Sequence, residues 1–134
     1  MSINHWIVKN LVCTLFLVVG GLNIYAQKDK YLIEAEAFQF KGKWSTDRSA
    51  DCMGSAMLRL NGGGSLDEQF DALTVVNIME EGDYNVWVRS ADYDKLPGTR
   101  LFRLSVDEKP MKESGKHGKV GFYWENAGCV QLAK

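Results

Sequence analysis

Apolar and polar residues alternate along most of the chain from Tyr31 onward. Leu58 and Leu60 flank Arg59, and Ala72, Thr74, Val76 and Ile78 alternate with Leu73, Val75 and Asn77. Tyr84, Val86 and Val88 alternate with Asn85, Trp87 and Arg89, and Phe102, Leu104 and Val106 with Arg103 and Ser105. Side chains of a strand point to opposite faces in turn, so a period of two predicts half-buried strands. Glu80-Glu81-Gly82-Asp83 separates two of these runs as a turn cluster and predicts a hairpin. Asp107-Glu108-Lys109-Pro110 closes a later strand with turn residues. Residues 122–125 and 129–132 read as two short strands around Asn126-Ala127-Gly128. No mature stretch carries a sustained helical stripe, and residues 67–73 form a helical turn at most. Many short strands with frequent turns indicate an all-β fold, a sandwich or a barrel.

The first 26 residues break this pattern. A weakly basic start (His5, Lys9) precedes an apolar run over 11–22 and the close Asn23-Ile24-Tyr25-Ala26. A comfortable membrane span needs about 20 apolar residues, and a shorter run ending in a small residue is the signal-peptide pattern. Cleavage is expected after Ala26, leaving 27–134 as one small domain; an uncleaved membrane anchor is the alternative. Cys13 lies inside the apolar run without a small residue before it, which argues against a lipoprotein signal. Sixteen basic and 17 acidic residues give a net charge of -1, and nothing there favours nucleic acid or an acidic membrane surface. Export implies a disulfide-permissive compartment. Cys52 and Cys129 then form one bridge or stay two separate thiols. Residues 130–134 read as a strand in progress, so a truncated product or a fragment of a longer protein is expected.

The candidate chemistry begins at Tyr31-Leu32-Ile33-Glu34-Ala35-Glu36-Ala37, the expected first strand of the exported domain. On a strand Glu34 and Glu36 share a face, and their carboxylates repel unless a cation lies between them. Calcium prefers several oxygen ligands and suits such a pair. Two solvated glutamates are the plainer explanation. Trp124, Tyr123 and Tyr93 lie near expected loop ends, beside polar Asn126, Glu125 and Asp92. Sugar C–H faces stack on aromatic rings while hydroxyls need polar partners, so this mixture suits a carbohydrate platform. Core or rim packing is the alternative, and it is favoured for Trp44 and Trp87, which fall within expected strands. Arg89 with Asp92 could hold a sugar acid, though a structural ion pair is the commoner arrangement. Lys109, Lys112, Lys116, His117 and Lys119 form a loosely basic loop that meets an acidic glycan or is simply solvated. His117 has no visible partner for base or metal work. Nucleophile-elbow, paired-histidine and phosphate-loop signatures are absent, which argues against an enzyme.

Four motifs in order carry a resemblance. Glu34-Ala35-Glu36 opens the domain; Gly82-Asp83-Tyr84-Asn85-Val86-Trp87-Val88-Arg89 follows; then Phe102-Arg103-Leu104-Ser105-Val106-Asp107; then Trp124 with Gly128-Cys129-Val130-Gln131-Leu132. This order resembles carbohydrate-binding modules of the family 6 and 35 type, with a galactose-binding-like fold. It is most similar to accessory domains of exported Bacteroidetes FAD-dependent oxidoreductases and polysaccharide-processing enzymes. The resemblance implies a jelly-roll-like β-sandwich, here lacking its last strand, that binds polysaccharide or oligosaccharide without cutting it. It also implies a structural calcium held by Glu34, Glu36 and an aspartate on that last strand. The expected sugar site is Trp124 with a neighbouring tyrosine (Tyr123 or Tyr93), oriented by Asp92, Asn126 or Arg89. The location implied is secreted or periplasmic. Rival readings are a domain that docks onto the catalytic part of a longer exported enzyme without binding sugar, an enzyme, and a non-functional remnant.

Overall fold

The computed structural model describes residues 4–9, 14–19, 30–48, 52, 54, 56–62, 64–65 and 67–134, the first two stretches as backbone. The strands are β1 (Asn4–Lys9), β2 (Thr14–Val19), β3 (Lys30–Glu34), β4 (Ser45–Arg48), β5 (Ala56–Arg59), β6 (Asp71–Val76), β7 (Gly82–Ala91), β8 (Arg103–Val106), β9 (Lys109–Pro110) and β10 (Phe122–Leu132). They form one sheet in the order β6-β1-β8-β9, a second in the order β10-β7-β2-β3, and a ribbon of β4 with β5. Every pairing is antiparallel. The chain is all-β, as its alternation predicts, and its four-stranded sheets are open.

The period of two becomes burial most clearly in β7. Tyr84, Val86, Val88 and Ser90 are each at most 1% exposed, while Asn85, Trp87 and Arg89 on the other face are half-buried. Leu104 and Val106 of β8 and Ala72 of β6 enter the same apolar cluster from the first sheet. Val130 and Leu132 of β10 join from the second, and Phe38, Trp44, Leu58 and Phe102 add to it. Full burial of a large apolar side chain contributes roughly 1.5–3 kcal/mol, so these rows dominate stability. Trp44 directly precedes β4 rather than lying in a strand, and its indole Nε1 donates to the Phe70 carbonyl at 2.7 Å. A 3-10 turn at Glu68–Phe70 is the one helical turn that the sequence suggests between 67 and 73.

Three expectations are corrected. The hairpin across residues 80–83 is absent, because β6 and β7 belong to different sheets. Ile78 is buried in the crossing, the Tyr84 hydroxyl donates to the Glu80 carbonyl at 2.6 Å, and the Met79 N–H donates to the Tyr31 hydroxyl at 2.8 Å. Alternation reports which face is buried, not which neighbour a strand pairs with. Residues 122–132 are one strand, not two. A bulge at Asn126/Gly128 absorbs the irregularity, with the Gly128 N–H donating to Asn126 Oδ1 at 2.8 Å and Gly128 at φ +124°. Finally, β3 stops at Glu34 and the chain enters a 3-10 turn at Ala35–Ala37, so Glu34 and Glu36 do not share a strand face.

Turn chemistry is as expected after β8. Asp107 and Glu108 have φ of +48° and +65°, the mirror-image turn that suits a two-residue hairpin loop into β9. Cys52 and Cys129 are not bridged to each other, which decides that open pairing. Both N-terminal strands fall within the stretch read as a leader, and its expected cleavage point at Ala26 lies outside the described residues.

Core truncation and surface truncation should separate cleanly. Leu104→Ala is expected to lower unfolding free energy in urea by about 2–5 kcal/mol, and Gln131→Ala by less than about 0.5 kcal/mol.

Candidate functional site

The carboxylate pair is brought together by a mechanism the sequence did not suggest. Glu34 ends β3, and Glu36 lies one turn on in the 3-10 segment. Both reach the tight turn at Gly54, whose φ is +65°. A Cβ placed on Gly54 would lie 3.0 Å from Glu34 Oε1 and 3.9 Å from Glu36 Oε1. A side chain there would intrude on the carboxylates, so glycine lets both oxygens converge. Glu36 Oε2 is buried without a hydrogen-bond partner. Burial chiefly holds the Glu36 carboxyl above its ordinary pKa, and the Glu34 charge adds to this. Its backbone hydrogen bond and Lys41 offset only part of the rise. Two converging carboxylates, one with an unsatisfied buried oxygen, fit a hard cation such as calcium. Among the described residues no third His, Cys, Asp or Glu joins them. Further oxygens would have to come from backbone carbonyls and water.

A second cluster forms where β7 runs out. Asp92 is 4% exposed and accepts from the backbone N–H groups of Tyr93 (2.7 Å) and Arg100 (3.3 Å) at Oδ1, and of Gly98 (2.5 Å) and Gly118 (2.9 Å) at Oδ2. Burial pushes its carboxyl pKa up, and these four N–H bonds outweigh that and hold it below the ordinary value. Asp92 therefore ties the loop after β7 to the loop before β10, with both oxygens engaged. Glu125 Oε2 does similar work next to it, accepting from Ser90 Oγ at 3.2 Å and from the Gly115 N–H at 2.8 Å. His117 does have partners. Its Nδ1 accepts from the Lys119 N–H at 3.1 Å, which leaves Nε2 to carry the proton toward the Ser90 carbonyl at 3.1 Å.

The aromatics divide between two faces. Tyr123 is in register with buried Ser90, so it lies on the inner side of the sheet at its loop end. Its ring sits 5.1 Å from the His117 ring, with Lys119 Nζ 4.7 Å from its centroid. Tyr93 is close by in chain terms, under the Arg100 guanidinium at 5.2 Å. Trp124 is in register with Arg89 and occupies the outer face. Phe122, two residues away on that face, carries the Arg89 guanidinium 4.7 Å over its ring. Tyr123 and Trp124 are each about two-fifths exposed, at 40% and 39%, but they cannot form one platform. The six residues that the sequence groups as a sugar site thus fall into three places. Arg89 and Trp124 are outer, Tyr93, Asp92 and Tyr123 gather at the loop end, and Asn126 closes the bulge. Ser90, Phe122 and Gly118 escaped sequence reasoning, because only the β7–β10 register and the Asp92 bonds give them a role.

The chain matches no family model, no curated protein and no solved structure.

The raised Glu36 pKa has a definite sign. Without metal the folded state binds this proton more tightly than the unfolded chain does. The cost is absent below the ordinary value of 4.5 and complete above the raised one, so stability falls as pH climbs through that window. Glu36→Gln should therefore raise the metal-free Tm near pH 7 and flatten its pH dependence. Thermal melts in chelator from about pH 4 to 7.5 measure both effects.

Proposed function

We propose that this chain is an exported, non-catalytic carbohydrate-binding module with a jelly-roll-like β-sandwich of the family 6 and 35 type. The observation that carries the reading is Trp124. It stands 39% exposed on a long strand, across the ladder from Arg89 and beside Phe122. A pyranose C–H face stacks on the indole, and the guanidinium bonds hydroxyls or a uronate carboxylate. Tyr123 and Tyr93, with His117 and Lys119, offer a second polar-aromatic surface at the loop end. Asp92 acts there as a positioning residue, since its oxygens hold the loops, and Asn126 shapes the strand that presents Trp124.

Calcium is part of this reading as a structural ion. Glu34 and Glu36 would hold it, and it would supply positive charge that relieves their repulsion and the buried Glu36 oxygen. Its effect is on stability, not on sugar chemistry. A module that only docks onto a catalytic domain remains the rival function, with the same fold and no glycan contact.

Binding to a glycan array decides between them. Trp124→Ala is expected to weaken binding by about 10-fold, the equivalent of roughly 1.4 kcal/mol, while Tyr123→Ala on the other face has a smaller effect. Loss with Tyr123→Ala alone would move the site to the loop end. Silence of the parent protein across neutral and acidic glycans would contradict sugar binding and favour docking.

A further inference from the structure

The two N-terminal strands are not edge decorations. β2 lies between β7 and β3, with Thr14, Leu15, Phe16, Leu17, Val18 and Val19 in register with Arg89 through Tyr84 on one side. On its other side Thr14 through Val18 face Glu34 through Lys30. β1 lies between β6 and β8, with all of Asn4–Lys9 in register with β6 and Trp6 through Lys9 with β8. One short stretch of chain thus supplies an interior strand to each four-stranded sheet. We propose that the domain is a strand acceptor. It has two slots, β7/β3 and β6/β8, that bind extended segments through backbone hydrogen bonds, and their resident occupants are residues 14–19 and 4–9 of this chain.

The chemistry of the slots defines what they take. Each is flanked on both sides by strand backbone, so each offers two rows of N–H and C=O groups to a single extended segment. Those rows adjoin fully buried side chains, Val86 and Val88 on β7 and Leu104 and Val106 on β8. An empty slot would leave unpaired backbone groups beside the core, which is costly and prone to capture any free strand. An extended occupant without prolines fits both requirements, and residues 4–9 and 14–19 contain none; 14–19 are apolar except for Thr14, whereas 4–9 carry Trp6, Ile7 and Val8 between polar ends. Residues 14–19 read as part of a leader because a continuous apolar run serves a signal peptide and an interior strand equally well. A cut at Ala26 would fall between β2 and β3, so it would turn a covalent occupant into a bound peptide or leave both slots open. This inference rests on the strand pairing alone and is independent of sugar binding.

The test uses the full chain. A specific protease site placed within residues 21–27 is cut after folding, and the product is sized under native conditions. The N-terminal fragment is expected to co-elute with the remainder at the mass of one chain, and to separate in denaturant. Two proline variants give a second readout. Leu17→Pro, within β2, should lower Tm on the order of 10 °C or abolish the transition, with loss of amide-exchange protection in β7 and β3. Gln27→Pro should leave both unchanged. The proposal is overturned if the fragment leaves while the remainder keeps its Tm and protection, or if Leu17→Pro is silent. Co-elution at twice the mass would assign the slots to the segment of a second copy and overturn occupancy within one chain.

Discussion

The structure depends on the two-sided pairing of β7. This ten-residue strand has β10 along one edge and β2 along the other, and its inner row of Tyr84, Val86 and Val88 is essentially removed from water. An interior strand with a fully buried row has one tolerable register, because a slip by a single residue would drive Asn85, Trp87 and Arg89 into the core. The proposed sugar site is positioned by that register. It sets Arg89 opposite Trp124 on the outer face and Ser90 opposite Tyr123 on the inner one. It also places Asp92 one step beyond the strand end, where its carboxylate gathers the loops.

The two acidic features of the domain illustrate opposite outcomes of burial. Asp92 is almost fully covered, yet four backbone donors satisfy it and keep it ionised. Glu36 is less covered but lacks a partner for one oxygen and has Glu34 beside it, so its charged form is disfavoured. The first arrangement is complete in itself. In the proposed reading a cation completes the second, so the carboxylate pair, and not Asp92, is the place to look for metal.

Much of the fold was legible in the sequence, because period-two alternation directly encodes a half-buried strand. Residues 84–88 and 102–106 follow that alternation, and Asp107-Glu108 forms the expected turn. What alternation does not encode is the identity of a neighbour, which is why β6 and β7 read as a hairpin and lie in separate sheets. Glu36 was misplaced for a local reason: one 3-10 turn after β3 redirects its side chain, and Gly54, distant in sequence, restores the convergence with Glu34. The candidate site was legible as a set of residue types but not as a set of neighbours. Adjacent Tyr123 and Trp124 looked like a pair, although the strand they occupy sends them to opposite faces. The pairing of residues 4–9 and 14–19 was hidden because neither the apolar run nor the short segment before it carries a sign of which strands will flank it.

Proton–nitrogen NMR of the tryptophan indoles during titration with neutral and uronic-acid oligosaccharides tests the central claim most directly. The account predicts a saturable shift of the Trp124 indole signal, while the Trp44 signal, buried and bonded to the Phe70 carbonyl, stays fixed. Saturable binding that leaves Trp124 unmoved, or no shift with any oligosaccharide, would contradict it.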